Sequence, residues 1–337
     1  MNDIESIKKV AAFDCGTNTI RLLIANQITH LNGTKTLEYL HPKWSNMNQL
    51  GIGVDSTHMF DEAALELTFK YEKEYAAFLR EYNVPNENLK FIATSASRDA
   101  QNHDLFFEKT LDILGVKPTV ISGETEASFS YLGATYCSNG SKSTGVDSPI
   151  AGIDLHNLVI DLGGGSTEFV KGKNLDLIDS FSADMGSVRL TEKYFSGVLI
   201  GEHIPLSAIN DAEIEVKEWI KKVTSKIDLS DINNIYGLAG TITSITAYAL
   251  RLEKYDPEIV GNAQLSFDEI YEACNLLIGS TESELYDQTI LLPKRVPVIR
   301  AGALIFKTII SELSKIVKTD NIIVSENDIL DGIALSI

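Results

Sequence analysis

Cysteine is scarce in this chain: Cys15, Cys137 and Cys274 are its 3 thiols, far apart and without a C-x-x-C pair. That excludes a disulfide frame and a cysteine zinc site, and is read as reduced thiols in a cytoplasmic protein. The 6 histidines, His30, His41, His58, His103, His156 and His203, show no metal-ligand spacing. Positive charge is also short: 29 Lys and Arg stand against 47 Asp and Glu, a formal net charge of −18. General electrostatic attraction to nucleic acid or anionic lipid is thereby excluded. No apolar run approaches the roughly 18 residues of a membrane-spanning helix. The opening residues Met1–Val10 lack the apolar region of a signal peptide, so the expected location is the cytoplasm.

What remains is an ordinary globular composition, 44% hydrophobic and 23% charged over 337 residues, enough for two domains. Residues 9–14 and 19–28 read as buried strands joined by the tight turn Cys15-Gly16-Thr17-Asn18. A third strand is expected over 35–40. Apolar residues at three- and four-residue steps from Ala63 to Tyr82 indicate a long amphipathic helix. A strand at 89–93 follows, then a helix over 102–114 stopped by Gly115, a strand at 119–121 and a helix opened by Ser122-Gly123. Residues 138–149 are turn-forming and read as a loop. The pattern then restarts with a strand at 158–161, a glycine turn at 162–166 and a returning strand at 167–171. Helices are expected at 206–228, from 241 and at 299–316, with strands at 234–238 and 321–324 and a short helix after Glu326. The chain reads as α/β, with β-turn-β opening each of two related halves around mixed sheets.

Two turns carry the chemistry. In Asp14-Cys-Gly-Thr-Asn-Thr19 a buried strand ends in a carboxylate, and Gly16, Thr17 and Asn18 can offer backbone N–H groups to an anion. The carboxylate of Asp14 would serve a metal. A plain hairpin needs a similar turn, so this motif alone is weak. In Asp161-Leu-Gly-Gly-Gly-Ser-Thr-Glu168 three consecutive glycines cost entropy unless something requires close backbone approach, and a phosphate chain is such a thing. The pair, 147 residues apart from Asp14 to Asp161, is far more specific than either turn. A third element, Gly237-Leu-Ala-Gly-Thr-Ile-Thr243, leaves a strand and opens a helix, which suits phosphate or close helix–sheet packing. Glu126 falls in the first turn of its helix, where the dipole favours a carboxylate. Arg98 follows a strand end, where sites in open α/β sheets gather, and can neutralise phosphate. An isolated surface Glu or Arg would look the same. Nothing resembles a covalent nucleophile beside a base, and Cys15 reads as a small buried hydrophobe.

Together these segments resemble the exopolyphosphatase / guanosine-pentaphosphate phosphohydrolase family of the actin–sugar-kinase–chaperone ATPase superfamily. The resemblance runs through the Asp14 turn, Ala93–Arg98, Ile121-Ser-Gly-Glu-Thr-Glu-Ala127, Leu158–Glu168, Met185-Gly-Ser-Val-Arg189, Gly237–Thr243, Arg295–Gly302 and Val324–Gly332. It implies two actin-like (ribonuclease H-like) domains with five-stranded mixed sheets and a central phosphate-binding cleft. Domain I would span 1–125, with the C-terminal helix 326–337 packing back onto it; domain II would span 126–325, with the hinge near Glu126. By resemblance, Glu126 is the catalytic Glu that activates or orients water, and Arg98 contacts phosphate. Gly16, Thr17, Asn18, Gly163, Gly164, Gly165, Ser166, Gly240 and Thr241 form the phosphate loops. Asp14, Asp161 and Glu168 surround Mg²⁺, with Mn²⁺ as the alternative ion.

The implied activity is hydrolysis of terminal phosphate from inorganic polyphosphate. Guanosine pentaphosphate is the alternative substrate, and a nucleotide-binding switch or a silent polyphosphate sensor are rival roles. No nucleic acid or membrane partner is expected; a homodimer is left open. The family often places cations where this chain has Gln49 and Leu330, and an Asp where it has Pro297. The loss of two cations implies engagement of short chains, or of one chain end, by Mg²⁺, backbone N–H groups and local cations such as Arg98, Arg189 and Arg295.

Overall fold

The computed structural model describes residues 4–136, 155–174 and 176–337. The chain divides into two compact units, Met1–Ser148 with Asp328–Ile337, and Pro149–Asn327. The loop expected at 138–149, and Cys137, lie outside the described residues.

Unit 1 runs β1 (Ile4–Cys15), β2 (Ile20–His30), β3 (Lys35–Tyr39), β4 (Trp44–Asn46), α1 (Val54–Thr57), α2 (Glu62–Glu81), β5 (Leu89–Ala93), α3 (Ser95–Asp99), α4 (His103–Leu114), β6 (Thr119–Val120) and α5 (Gly123–Tyr136). Its sheet has the order β3-β2-β1-β5-β6, with β4 pairing the start of β2. Alternation along β1 sorts the core into two layers. Ala11, Phe13 and Cys15 join the cluster that includes Phe69, Leu79 and Phe106 of α2 and α4. Val10 and Ala12 join Ile329, Leu330 and Ile333 on the other face. Those last residues belong to the chain's final helix. Gly115 ends α4 at φ 73, as the sequence predicts.

Unit 2 runs β7 (His156–Leu162), β8 (Thr167–Lys173), β9 (Asp176–Ala183), α6 (Ser187–Leu190), α7 (Leu206–Lys226), β10 (Ile232–Leu238), α8 (Ala239–Ala249), α9 (Pro257–Val260), β11 (Gln264–Ser266), α10 (Phe267–Gly279), α11 (Glu282–Tyr286), α12 (Val296–Leu313) and β12 (Asn321–Val324). Its sheet has the order β11-β12-β10-β7-β8-β9. Leu158, Ile160 and Leu162 of β7 face a core filled by α7, α8, α10 and α12. The chain then returns to unit 1 with α13 (Ile329–Leu335).

Three expectations differ from what is found. Among the described residues each sheet has 6 strands, not five: β4 in unit 1 and β9 and β11 in unit 2 are strands that the sequence reading lacks. All three pair with a single neighbouring strand. Helix α10 also went unread, although Ser266 and Glu269 form a capping box at its start. Finally, α5 belongs to unit 1, so Glu126 lies inside that unit and not at a boundary. The cause is close helix packing. A Cβ at Gly133 of α5 would lie 1.8 Å from the Asp328 carbonyl oxygen, and one at Gly332 of α13 would lie 2.0 Å from that of Phe129. Glycine at both positions lets α5 and α13 meet backbone to backbone.

Candidate active site

In unit 1 the parallel strands β1, β5 and β6 end together, since Cys15 is level with Ala93 and Ala93 with Val120. The segments that leave these ends therefore share one edge of the sheet, the place where open α/β sheets bind ligands. They carry Asp14, Gly16, Thr17 and Asn18, then Arg98, then Glu126. The Gly16 N–H donates to the Thr19 carbonyl at 2.9 Å and closes the turn. Thr17 is hydroxyl-bonded to Ser95 at 2.9 Å, which joins the first segment to the second. Residues 49–51 brace the turn from outside: the Gln49 N–H donates to the Asn18 carbonyl and the Gly51 N–H to that of Thr17.

Asn18 is 4% exposed, and neither its amide nitrogen nor its amide oxygen has a hydrogen-bond partner. A buried polar side chain left unpaired is costly, so this amide is built to meet something outside the fold. Arg98 Nη1 donates to Glu126 Oε2 at 2.9 Å and to the Ile121 carbonyl at 2.9 Å. That fork fixes Glu126 in the first turn of α5, whose start is capped by Ser122 Oγ accepting from the Thr125 N–H.

Asp14 has a partner that the sequence reading missed. It lies opposite Arg21 in the β1–β2 register, on the same face of the sheet as α13. Arg21 donates to Asp14 Oδ2 from Nε at 2.9 Å and from Nη2 at 2.6 Å, while its Nη1 reaches Asp328. Asp328 caps α13 by accepting from the Leu330 N–H at 3.0 Å, and its own N–H donates to Asp331. Asp331 in turn accepts from Lys43 and from the Tyr39 hydroxyl. Burial pushes the Asp14 carboxyl above its usual range against the pull of Arg21. Burial acts upward on Asp328 too, but Arg21 and Lys43 together bring it below its usual range. The only sequence signals were a lone arginine inside an apolar strand and the Asp-x-x-Asp spacing of a capping box. Leu330, where a cation had been looked for, is fully buried against the sheet.

In unit 2 the parallel strands β7, β10 and β12 likewise end together, with Asp161 level with Leu238 and Gly237 with Val324. The turn Gly163–Ser166 is closed by the Gly163 N–H on the Ser166 carbonyl at 3.0 Å. Gly186 packs so closely on it that a Cβ there would lie 2.2 Å from the Gly164 oxygen and 2.4 Å from the Gly165 nitrogen. The Val188 N–H and Arg189 Nε donate to the Gly164 and Gly165 carbonyls at 2.8 Å and 2.9 Å, which leaves the opposite side of the turn to present its N–H groups. Gly240 opens α8 beneath Arg295, whose Nη2 would be 2.3 Å from a Cβ at that position, and Thr241 is buried beside Gly302.

Asp161 and Glu168 are cross-strand partners in the β7–β8 ladder and are both buried. Ser182 Oγ donates to Glu168 Oε1 at 2.8 Å. Two adjacent buried carboxylates and a hydroxyl are an all-oxygen donor set, which fits a hard divalent cation. Among the described residues no group of three His, Cys, Asp or Glu side chains gathers to hold a metal by itself. An ion here would complete its shell with phosphate oxygens and water, as Mg²⁺ commonly does. The expected trio is thus divided: Asp161 and Glu168 stand together in unit 2, and Asp14 is in unit 1 on Arg21.

The chain is similar to known proteins over almost its whole length. The chain is 35% identical to exopolyphosphatase 2 of Mycobacterium tuberculosis, over 98% of this chain and 99% of that protein. The solved structure of an exopolyphosphatase-like protein matches with a TM-score of 0.87 at 32% identity, over 98% of each chain. A Ppx/GppA protein of Aquifex aeolicus matches with a TM-score of 0.74 at 26% identity, over 98% of this chain and 97% of that one. The family model described as the Ppx/GppA phosphatase family covers residues 29–337. With a family model over residues 29–337 and a relative 35% identical from end to end, the chain belongs to the Ppx/GppA phosphatase family.

Proposed function

We propose that the protein is an exopolyphosphatase that releases the terminal phosphate of inorganic polyphosphate, acting on chain ends and short chains. The observation that carries this reading is the Arg98–Glu126 pair, set at the carboxyl end of the unit 1 sheet in a chain similar end to end to a protein named exopolyphosphatase.

Glu126 accepts a proton from water as the water oxygen bonds to the terminal phosphorus. The bridging P–O bond breaks, and orthophosphate leaves a chain one unit shorter. Arg98 holds Glu126 through Nη1 and keeps Nη2 for a phosphate oxygen. In unit 1 the Asn18 amide and the N–H groups of Thr17 and Asn18, and in unit 2 the N–H groups of Gly164–Ser166 and Gly240–Thr241, are donors suited to phosphate oxygens, on which charge is spread in the transition state. In unit 2 Asp161 and Glu168 would hold Mg²⁺ or Mn²⁺, and in unit 1 Asp14 offers a carboxylate oxygen to such an ion or its bound water. The ion would neutralise phosphate charge.

The test is phosphate release by the purified protein with Mg²⁺, across polyphosphate lengths and on guanosine pentaphosphate. Glu126→Gln should lower kcat by at least about a hundredfold with KM little changed, and chelation should abolish activity until Mg²⁺ is restored. Unchanged turnover in the variant would remove the role of Glu126. No release from polyphosphate of any length would overturn the activity, and a higher kcat/KM on guanosine pentaphosphate would move the substrate.

A further inference from the structure

Arginine meets a single carboxylate most favourably as a fork, with two nitrogens on two oxygens. Arg21 does not meet Asp14 that way. Its Nε and Nη2 both end on Oδ2, and its third nitrogen, Nη1, is taken by Asp328. The two acids come from opposite ends of the chain, 307 residues separating Arg21 from Asp328. Asp328 is itself rigidly held. It caps α13 through the Leu330 N–H, its backbone N–H is bound by Asp331, and Asp331 is anchored by Lys43 and Tyr39. The α13 helix under it is buried and meets α5 at the two glycines described above.

We propose that Asp328 is a positioning residue for Asp14: by taking Nη1 of Arg21 it confines the guanidinium to Oδ2 of Asp14 and leaves Oδ1 to a divalent cation or its bound water. The inference rests on Asp14 serving the metal. Without the second carboxylate, the guanidinium has no other acid to satisfy. It can swing to bridge both oxygens of Asp14, and its full charge then opposes a cation there. The C-terminal helix is in this sense part of the metal site, although it contributes no ligand.

The experiment compares Asp328→Asn with the unchanged protein. Asparagine keeps an oxygen for the helix cap and removes the charge. Mn²⁺ alone is the probe, its binding followed by calorimetry, with circular dichroism and thermal melting to report the fold and phosphate release to report turnover. The expected result is a folded variant whose Mn²⁺ dissociation constant rises about tenfold, about 1.4 kcal/mol, while kcat at saturating metal stays within a few-fold. Asp328→Ser, which also keeps a capping oxygen, should behave alike. An unchanged Mn²⁺ affinity in a folded variant overturns the proposal. So does failure of both variants to fold, which would make Asp328 a structural residue. Asp14→Asn separates the two readings: if it leaves Mn²⁺ affinity and activity intact, the metal role of Asp14 has failed, whatever Asp328 does.

Discussion

Glu72 is fully buried between α2 and α4, with Oε1 accepting from Thr110 at 2.9 Å and Oε2 unpartnered. Burial pushes its carboxyl from 4.5 to about 8, against the hydrogen bond from Thr110. Between those values the folded protein holds a proton that the unfolded chain has lost. Stability therefore falls as pH rises through that window and levels off above it, by about 5 kcal/mol at most. Glu72→Gln keeps an acceptor for Thr110 and removes the titration. In urea melts it should match the unchanged protein near pH 4.5 and exceed it by roughly 1–3 kcal/mol near pH 8.5. Equal midpoints at both pH values would show that Glu72 is not held neutral. The same neighbourhood explains Cys15. Its thiol is pushed well above the usual range, by burial first and by Glu72 and Asp14 after it, so it has the small buried character read from the sequence and no reactive thiolate. Residues like Asp14, Gly16 and Glu126 were legible because their motifs are contiguous. Arg21, Lys43 and Glu72 were not, because nothing local distinguishes a buried ion partner from a solvated charge.

At the scale of elements, the local signals were strong where a segment stabilises itself. The period of α2, the glycine that ends α4 and the two β-turn-β openings are each written within one stretch of chain. Strands β4, β9 and β11 escaped because edge strands, two of them only 3 residues long, take their identity from a neighbour. The crossing of α5 and α13 is of that kind too: Gly133 and Gly332 look like weak points in their helices until the partner backbone is known. Adding one methyl group there forces the helices apart. Gly332→Ala should cost about 3 kcal/mol or more of unfolding free energy in denaturant melts. It should also expose amides of α13 to hydrogen exchange ahead of those of β1 and β5. Gly279→Ala is the control, since a Cβ there meets nothing within 4 Å. If Gly332→Ala melted like that control, the close crossing would be refuted.

At the scale of the whole chain, the net charge of −18 has to be reconciled with a polyanionic substrate. Among the described residues the arginines near the two glycine turns are already engaged: Arg21 on Asp14, Arg98 on Glu126, Arg189 on the Gly165 carbonyl, and Arg295 lies over Gly240. The position of the expected C-terminal cation is filled by a buried leucine, and Gln49 serves the turn through its backbone. On the proposed reading attraction would rest on the turns and a bound Mg²⁺, while the rest of a long polyphosphate would meet a protein of net charge −18. Such repulsion is long-ranged, and salt screens it: the Debye length falls from about 30 Å at 0.01 M to about 8 Å at 0.15 M. At constant free Mg²⁺, KM for a polyphosphate of hundreds of units should fall several-fold over that range, whereas KM for tripolyphosphate should change less than twofold. A protein that gripped a long chain along a basic track would do the reverse, because salt competes with phosphate contacts and weakens them. A KM for the long chain that rises with salt would thus contradict end-only engagement, and would demand a run of cations that this sequence, with 29 basic residues against 47 acidic ones, does not set aside.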